Sequence, residues 1–324
     1  MDTELSSSLD HFFADTGSDP YWTESSWFSW SIPEKDICGL IWTHFRPNMN
    51  CVCGGIAMWD LSGQYVWEFP FFDFQTMRLL PEGKFGVDYD KYDFVTPWSL
   101  AVKMLEPLKR YRISYDRAGF KLDLEFEAIA PPNVMNQPSV EQLKTAFKTH
   151  FEQPGRIRGT VELDGVRHEV DTFSIRDGGH GPRFMEHSPQ GGYTWSTADA
   201  RNGWHALAPN ARDRVSKVVG GYILRDGEIS SIVEGTRRVL ERDGPRPVAV
   251  EVLARDELGR ELHALGHAQV PAKFMLFPER GQWWQLYRWD YDGFTGATGE
   301  DQEYYGIHHF REWHRAGPEV WAKQ

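Results

Sequence analysis

Hydrophobic and polar residues alternate along much of the chain. Tyr111, Ile113 and Tyr115 are separated by polar residues, and the same alternation resumes at Phe120 after a break that contains Gly119. Successive side chains of a strand point to opposite faces, so this period of two predicts strands with one buried and one solvated face. Gly119 permits positive φ in a tight turn. The segment therefore predicts a β-hairpin.

The second half of the sequence repeats this arrangement. Asp164-Gly165 and Asp226-Gly227 each separate two alternating segments, as expected of two-residue hairpin turns. Further short alternating segments continue to Trp313, and none follows a strand–helix–strand order. Many short strands joined by tight turns predict an all-β protein made of antiparallel sandwiches or barrels.

One segment predicts a helix between two β domains. Ser139 and Gln142 have the spacing of a capping box, and apolar residues recur every three or four positions from Val140 to Phe151. The expected organisation is a flexible N-terminus over residues 1–19, an N-terminal β domain over 20–137, the linking helix over 138–153 and a C-terminal β domain over 154–324.

Composition and charge exclude several classes of partner. The 324 residues carry a net charge of −12 and no basic stripe, so nucleic acids and anionic membrane surfaces are poor partners. No segment approaches ~20 consecutive apolar residues, the length that a membrane-spanning helix needs. Three cysteines, Cys38, Cys51 and Cys53, are too few and odd in number for a secreted disulfide framework. A cytoplasmic protein is expected.

The segment Ser174–Arg183 is the strongest candidate for chemistry. It contains Arg176, Asp177, His180 and Arg183 among three glycines and a proline, and it predicts a loop after a strand. An aspartate, an imidazole and two guanidinium groups in such a loop can form a charge-assisted network that sets the histidine tautomer. The alternative is a polar plug whose ion pairs only tie the loop down. The segment matches neither a nucleophile elbow nor a phosphate loop.

Aromatic residues supply further candidates. The chain has 14 Trp, which indicates either broad sheet packing or a flat-walled pocket. Tyr193 and Trp195 alternate on one strand face and so point into the same space. Glu24, between two Trp residues, is a candidate acid–base group if it is desolvated. Ordinary core packing for Tyr193 and exposure for Glu24 are the alternatives. Candidate substrate-binding residues complete the set: Trp27, Trp30, Trp42, Trp59 and His44.

Metals and cofactors are not expected. His308 and His309 are adjacent, and on a strand they would face opposite sides. Neither HExxH nor CxxC is present. A GxGxxG motif between a strand and a helix is also missing. The sequence predicts neither a metal site nor an organic cofactor.

Motifs in both halves of the sequence resemble those of bacterial two-domain lipocalin-like proteins of the carotenoid 1,2-hydratase superfamily, in a branch with paired domains of unknown function. Trp22-Thr-Glu-Ser and Phe45-Arg-Pro-Asn48 carry the resemblance in the first half, and Arg176-Asp-Gly-Gly-His-Gly-Pro-Arg183 carries it in the second. In that branch the last motif reads Arg-Asp-His-Ser-Trp-Gly-Pro-Arg, so His180 is displaced by two positions.

The resemblance implies two lipocalin- or calycin-like antiparallel β barrels or sandwiches and chemistry without a redox cofactor. Members of the superfamily hydrate, cyclise or rearrange hydrophobic isoprenoid or polyketide molecules. We therefore expect a lyase or isomerase with Asp177, His180, Tyr193 and Glu24 as acid–base groups and with Arg176 and Arg183 holding a substrate oxygen. A non-catalytic carrier of a lipid or aromatic ligand and a structural β protein are the alternatives. The expected partner is an apolar or aromatic small molecule, and a homodimer is left open.

Overall fold

The computed structural model describes residue 9 and residues 16–80, 93–136, 147–183, 191–209, 215–277 and 280–316. The chain forms two compact units. The first comprises Met1–Met58, Phe71–Gln137 and Phe147–Arg183, and the second comprises Trp59–Pro70, Pro138–Ala146 and Phe184–Gln324. Almost all described secondary structure is antiparallel β, so the predicted all-β, lipocalin-like fold class is confirmed.

The first unit is built on one sheet of 11 strands. Along the sheet the order is β4-β3-β2-β1-β11-β10-β8-β7-β6-β5, and β9 pairs with the early part of β10. The strands are β1 Trp22–Ile32, β2 Ile37–Arg46, β3 Cys51–Trp59, β4 Phe71–Leu79, β5 Asp93–Val95, β6 Ala101–Glu106, β7 Arg110–Arg117, β8 Phe120–Ala128, β9 Asn133–Asn136, β10 Thr149–Leu163 and β11 Val166–Pro182.

The hydrophobic core of the first unit lies on one face of this sheet, which we call the core face. Alternate residues of each strand reach it because the side-chain period of a strand is two. Its members include Phe28, Trp30, Ile41, Tyr111 and Phe126. The opposite face of β1, β2, β10 and β11, which carries Trp27 and Trp42, is called the outer face.

The second unit contains a closed barrel of eight strands. The order β16-β15-β13-β12-β21-β20-β18-β17 returns to β16 through a β16–β17 pairing, and β14 and β19 lie off this ring. The strands are β12 Gly191–Thr197, β13 Gly203–Pro209, β14 Val215–Lys217, β15 Gly220–Arg225, β16 Glu228–Asp243, β17 Arg246–Asp256, β18 Glu261–Val270, β19 Lys273–Phe277, β20 Arg280–Tyr291 and β21 Phe294–Gly306.

The predicted hairpins are present. β7 and β8 are joined at Ala118 and Gly119, and β10 and β11 are joined at Asp164 and Gly165, with positive φ at all four residues. Two consecutive residues with positive φ match the right-handed twist of the strands they join. The Asp226-Gly227 turn joins β15 to β16 in the same way.

Three local predictions differ from the structure. Ser174–Pro182 is the end of strand β11 and not a loop, because its glycines allow close approach of side chains from β10 and β1. Residues 138–146 of the predicted helix lie outside the described residues, while Thr149–Gln153 belong to β10. A helix that was not predicted, α1, spans Ile307–Ala316.

The expected domain boundary at residue 154 falls inside β10. Most of residues 1–19 lies outside the described part of the chain. β10 and β11 pair with β8 and β1 respectively, so they belong to the first unit up to Arg183. All three cysteines are buried, and none of them forms a disulfide. Within the described residues, no helix is both long and apolar enough to cross a membrane.

Candidate functional site

The outer face of the first unit gathers several of the predicted site residues. Trp27 of β1 lies directly opposite Trp42 of β2 on one side and Asp177 of β11 on the other. Asp177 in turn lies opposite Glu152 of β10. Directly opposed residues in an antiparallel pair share a face. Four strands therefore place two indole rings and two carboxyl groups side by side.

A cluster of three titratable side chains, the acid–base group, occupies this face. It consists of His150, Glu152 and Asp177. His150 Nε2 is 2.7 Å from Glu152 Oε1 and 4.0 Å from Asp177 Oδ2. The Glu152 side chain is fully buried, whereas 19% of the Asp177 side chain is exposed. Asp177 is thus the most exposed member of the group, and the His150 side chain, 11% exposed, is also accessible.

Burial changes the charge state of this group. Desolvation raises the pKa of Asp177 to about 7, Glu152 raises it further, and His150, Arg183 and Arg176 act in the opposite direction. Desolvation also lowers the pKa of His150 to about 4, against the attraction of Asp177. Between about pH 4 and pH 7 the group therefore combines a carboxyl that mostly holds a proton with an imidazole that mostly does not.

The tautomer of His150 follows from its neighbours. The Glu152 carboxyl, 2.7 Å from Nε2, attracts a proton on that nitrogen through its charge, although the two groups do not meet at hydrogen-bonding angles. The other ring nitrogen, Nδ1, is buried and has no hydrogen-bond partner among the residues that the structure describes. A lone pair on Nδ1 is then available to accept a proton.

Gly179 makes room for these groups. A Cβ atom at this position would lie 2.8 Å from His150 Nδ1, 2.9 Å from a terminal nitrogen of Arg183 and 3.2 Å from Ser25 Oγ. Contacts below about 3 Å are too close for a carbon atom. The glycine therefore allows an imidazole, a guanidinium and a hydroxyl to converge on one point of the outer face.

His44 lies on the same face, opposite Ser25. Its ring is 5.2 Å from that of Trp42, and its Nε2 is 3.3 Å from Thr23 Oγ1. Burial holds the pKa of His44 well below its ordinary value, and Arg183 and Arg46 add to that effect. His44 is consequently a neutral side chain at the edge of the group.

Two of the predicted catalytic residues meet on the core face instead. His180 lies directly opposite Glu24, and its Nδ1 is 2.5 Å from Glu24 Oε2. Trp22 Nε1 donates to the other carboxylate oxygen at 2.6 Å. Positions 177 and 180 differ by three, so a strand directs these side chains to opposite faces. The expected single network of Asp177 and His180 is therefore replaced by two separate groups.

Arg176 is enclosed on the core face. Its guanidinium carbon is 4.1 Å from the ring centroid of Tyr111 and 4.9 Å from that of Phe151, and its Nε donates to Gln153 Oε1 at 2.7 Å. Trp30 also lies in this core and is fully buried. The surroundings of both side chains are those of packing residues.

The remaining candidates belong to the second unit. Tyr193 packs against His205 with ring centroids 4.4 Å apart. Trp195 Nε1 donates to Glu300 Oε2 at 3.3 Å, and Trp284 Nε1 donates to the same oxygen at 2.7 Å. The third predicted aromatic side chain there, Trp59, is fully buried and packs on the rings of Phe69 and Phe274.

The sequence did not single out His150, Glu152 or Glu300. His150 and Glu152 lie in the segment predicted to be helical, and residues two positions apart do not share a face of a helix. Phe151 is the only apolar residue in Thr149–Gln153, so no hydrophobic alternation marked this segment as a strand. Glu300 sits in a run of acidic residues that resembles a solvated strand face.

The acid–base group is also compact enough to hold a cation. One donor atom from each of its three residues lies within 4.8 Å of the others. Two carboxyl groups and an imidazole are usual ligands of divalent metals. The prediction that the protein uses no metal stays a prediction.

This is a lipocalin-like all-β protein, which consists of an 11-stranded antiparallel sheet and a closed eight-stranded barrel. The chain belongs to the family described as a domain of unknown function, DUF7064, whose model matches residues 8–298. Among curated proteins, no sequence matches.

Solved structures share the fold over most of the chain. An AttH-like protein from Nitrosomonas europaea has a TM-score of 0.56 at 14% identity, over 87% of this chain and 92% of its own. Kievitone hydratase from Nectria haematococca has a TM-score of 0.54 at 9% identity, over 92% and 94%. CghA has a TM-score of 0.55 at 10% identity, over 89% and 88%. At such identities the similarity is one of fold.

Proposed function

We propose that this protein is a cofactor-independent lyase or isomerase that uses acid–base chemistry on a hydrophobic aromatic or isoprenoid small molecule. Hydration and dehydration are the preferred reactions, and carbon–carbon cleavage is a further option for the same groups. The observation that carries the proposal is the convergence of His150, Glu152 and Asp177 on a buried sheet face beside Trp27 and Trp42.

Asp177 is proposed as the general acid. It is partly exposed, and its pKa of about 7 leaves the carboxyl protonated in a substantial fraction of molecules at neutral pH. In a hydration it would donate this proton to one carbon of a double bond. The neighbouring carbon would then carry positive charge, which the faces of Trp27 and Trp42 can stabilise.

His150 is proposed as the general base. Its Nδ1 would take a proton from a water molecule as the water oxygen bonds to the cationic carbon, so that the product is an alcohol. Glu152 next to Nε2 would hold the ring orientation and stabilise the imidazolium that forms. Return of this proton to Asp177 restores both groups. Dehydration is the same sequence in reverse.

Two other observations support the proposal. A carrier needs few polar anchors in an apolar site, whereas this face holds three titratable groups within reach of one another. One protein of the same fold is named as a hydratase of kievitone. That name concerns that protein, and it supports the reaction class without identifying a substrate.

The test is turnover of unsaturated isoprenoid alcohols and prenylated aromatic compounds, followed by mass spectrometry for gain or loss of one water. Activity should be lost in Asp177→Asn and His150→Gln. Asp171→Asn on the same strand, which removes an exposed carboxyl paired with Arg156, is the matched control.

Three outcomes contradict the proposal. Unchanged rates in both variants would exclude the acid–base group as the site. Saturable binding without turnover would identify a carrier. Loss of activity on treatment with a chelator, restored by a divalent metal, would reassign the group to metal binding.

A further inference from the structure

A cluster of sulfur atoms lies on strands β3 and β4 of the first unit, whereas the acid–base group lies on β10 and β11. Cys51 and Cys53 are separated by one residue and lie on the same face of β3, because side chains two positions apart share a face. Both thiols are free, with the two residues 2% and 6% exposed. The face is the one opposite to Val52 and Ile56, which belong to the hydrophobic core.

A third sulfur completes the cluster. The Met77 thioether lies 3.9 Å from the Cys51 thiol, and the Met77 backbone N–H donates to Cys53 Sγ at 3.3 Å. The strand pairing is irregular here, since Val52 faces Arg78 and Gly54 faces Gln75. This leaves Thr76 and Met77 opposite Cys53, as in a β-bulge. The bulge turns the Met77 residue, with its φ of 53°, towards both cysteines.

The surroundings favour thiolates once the protons are removed. Arg46 interacts electrostatically with both Cys51 and Cys53. An N–H donor and a nearby guanidinium both stabilise a negatively charged sulfur.

Cys51 and Cys53 are poorly placed to form a disulfide with each other. Residues i and i+2 of a strand have Cα atoms about 6.4–6.8 Å apart, at the limit of what a disulfide spans. A metal ion between the two sulfurs relaxes this limit, because two metal–sulfur bonds of about 2.3 Å separate the sulfurs by up to about 4.6 Å. Three soft sulfur donors without nitrogen or oxygen match the preference of Cu(I) among biological cations.

We propose that Cys51, Cys53 and Met77 form a binding site for one soft monovalent cation, Cu(I). Binding displaces two protons, so that Cu(I) and two thiols become a bis-thiolate complex with a net charge of −1. The thioether supplies the third ligand, and Arg46 compensates the remaining charge. No electron is transferred in this step. The site is independent of the acid–base group and of the function proposed for it.

The test is an anaerobic titration of the reduced full-length protein with Cu(I) against bicinchoninate, a chromophoric Cu(I) chelator. The wild type should withhold one equivalent of Cu(I) and develop an ultraviolet thiolate-to-copper band. Cys51→Ser and Cys53→Ser should lose both signals. Met77→Leu should weaken binding by about tenfold while the band persists. Cys38→Ser, which removes the third buried thiol, is the matched control and should bind like the wild type.

A second measurement covers variants that fail to fold. Wild-type protein saturated with Ag(I) should be protected from a small alkylating reagent at Cys51 and Cys53 under partial unfolding, while Cys38 reacts as in the untreated protein. The proposal is overturned if wild type and chelator do not compete for Cu(I), if Cys38→Ser removes the signal, or if the protection falls on Cys38.

Discussion

Two buried charge clusters of this protein differ in how completely their members are paired. On the core side of the barrel, Arg237 binds both carboxylate oxygens of Asp301 at 2.9 and 2.7 Å and one oxygen of Glu303 at 3.0 Å. Arg242 binds the second oxygen of Glu303 at 2.8 Å. In the acid–base group of the first unit, Asp177 approaches its nearest basic partner, His150, only to 4.0 Å.

This difference separates a structural cluster from a chemical one. A buried charge whose hydrogen-bonding positions are filled is held in one state and stabilises one arrangement of strands. A buried carboxyl without a close cation keeps its proton and can transfer it. The barrel cluster is therefore expected to control stability, and the acid–base group is expected to control activity.

The largest effect is expected from Arg237→Ala. It leaves Asp301 and part of Glu303 buried without a cation, which should lower the free energy of unfolding by about 3–5 kcal/mol. Chemical denaturation measures this change. Arg156→Ala, which breaks an exposed pair with Asp171 at 2.6 Å, is the control and should cost about 1 kcal/mol or less. Equal losses of unfolding free energy in the two variants would show that the barrel cluster stabilises the fold no more than an exposed ion pair does.

Asp177→Asn should lower activity without lowering stability. Loss of a general acid lowers kcat by about a hundredfold to ten-thousandfold. The free energy of unfolding should stay constant or rise, because the amide needs no desolvation of charge. Parallel assays of turnover and denaturation test this pair of results. A strongly destabilised variant would show that Asp177 is a structural residue like Asp301.

The fold was predictable where the signal is local. Alternation and Asp-Gly turns identified the β7–β8, β10–β11 and β15–β16 hairpins, because turn geometry is encoded within a few residues. The start of β10 was not predictable, because its apolar spacing also fits a helix and Pro154 resembles the residue that ends one. Along the edge of β10 that does not pair with β11, the partner strand changes from β9 to β8 at Pro154. The missing N–H of Pro154 therefore interrupts no ladder of hydrogen bonds.

The site was predictable only in part for a related reason. Glu24 and His180 were both candidates, but their contact across 156 positions depends on the pairing of β1 with β11. The partners of Asp177 depend on the pairing of β11 with β10. A sequence pattern fixes which side chains share a face within a strand. It does not fix which strands are neighbours.

Gly179→Ala should produce an intermediate effect confined to the acid–base group. The added methyl group would press on His150 Nδ1 and on Arg183. Overpacking of this kind costs about 1–3 kcal/mol, and displacement of the base should also lower kcat. Gly165→Ala in the β10–β11 turn is the matched control: its Cβ meets no atom within 4 Å, but its φ of 83° strains an alanine, so this variant should lose stability and keep the wild-type kcat. A wild-type kcat in Gly179→Ala would separate His150 from the reaction.

The smallest expected effect is a pair of opposite pH dependences. The folded-state pKa of Asp177 is raised from 3.8 to about 7, so the folded protein binds the proton more tightly and its stability falls as pH rises through this range. The pKa of His150 is lowered from 6.5 to about 4, so stability instead falls as pH drops from 6.5 to 4. The two contributions largely cancel in the wild type.

Single variants should expose each contribution. Relative to the wild type, Asp177→Asn should gain stability as pH rises from 4 to 7, and His150→Gln should gain stability as pH falls from 6.5 to 4, each by on the order of 1 kcal/mol per pH unit. Glu152, Arg183 and Arg176 also act electrostatically on the same carboxyl and affect the size of the shift, but none reverses its sign. Unfolding titrations across this pH range measure both slopes. Slopes of the same sign in the two variants would contradict the assignment of a protonated Asp177 beside a neutral His150, and with it the contrast to the fully paired barrel cluster.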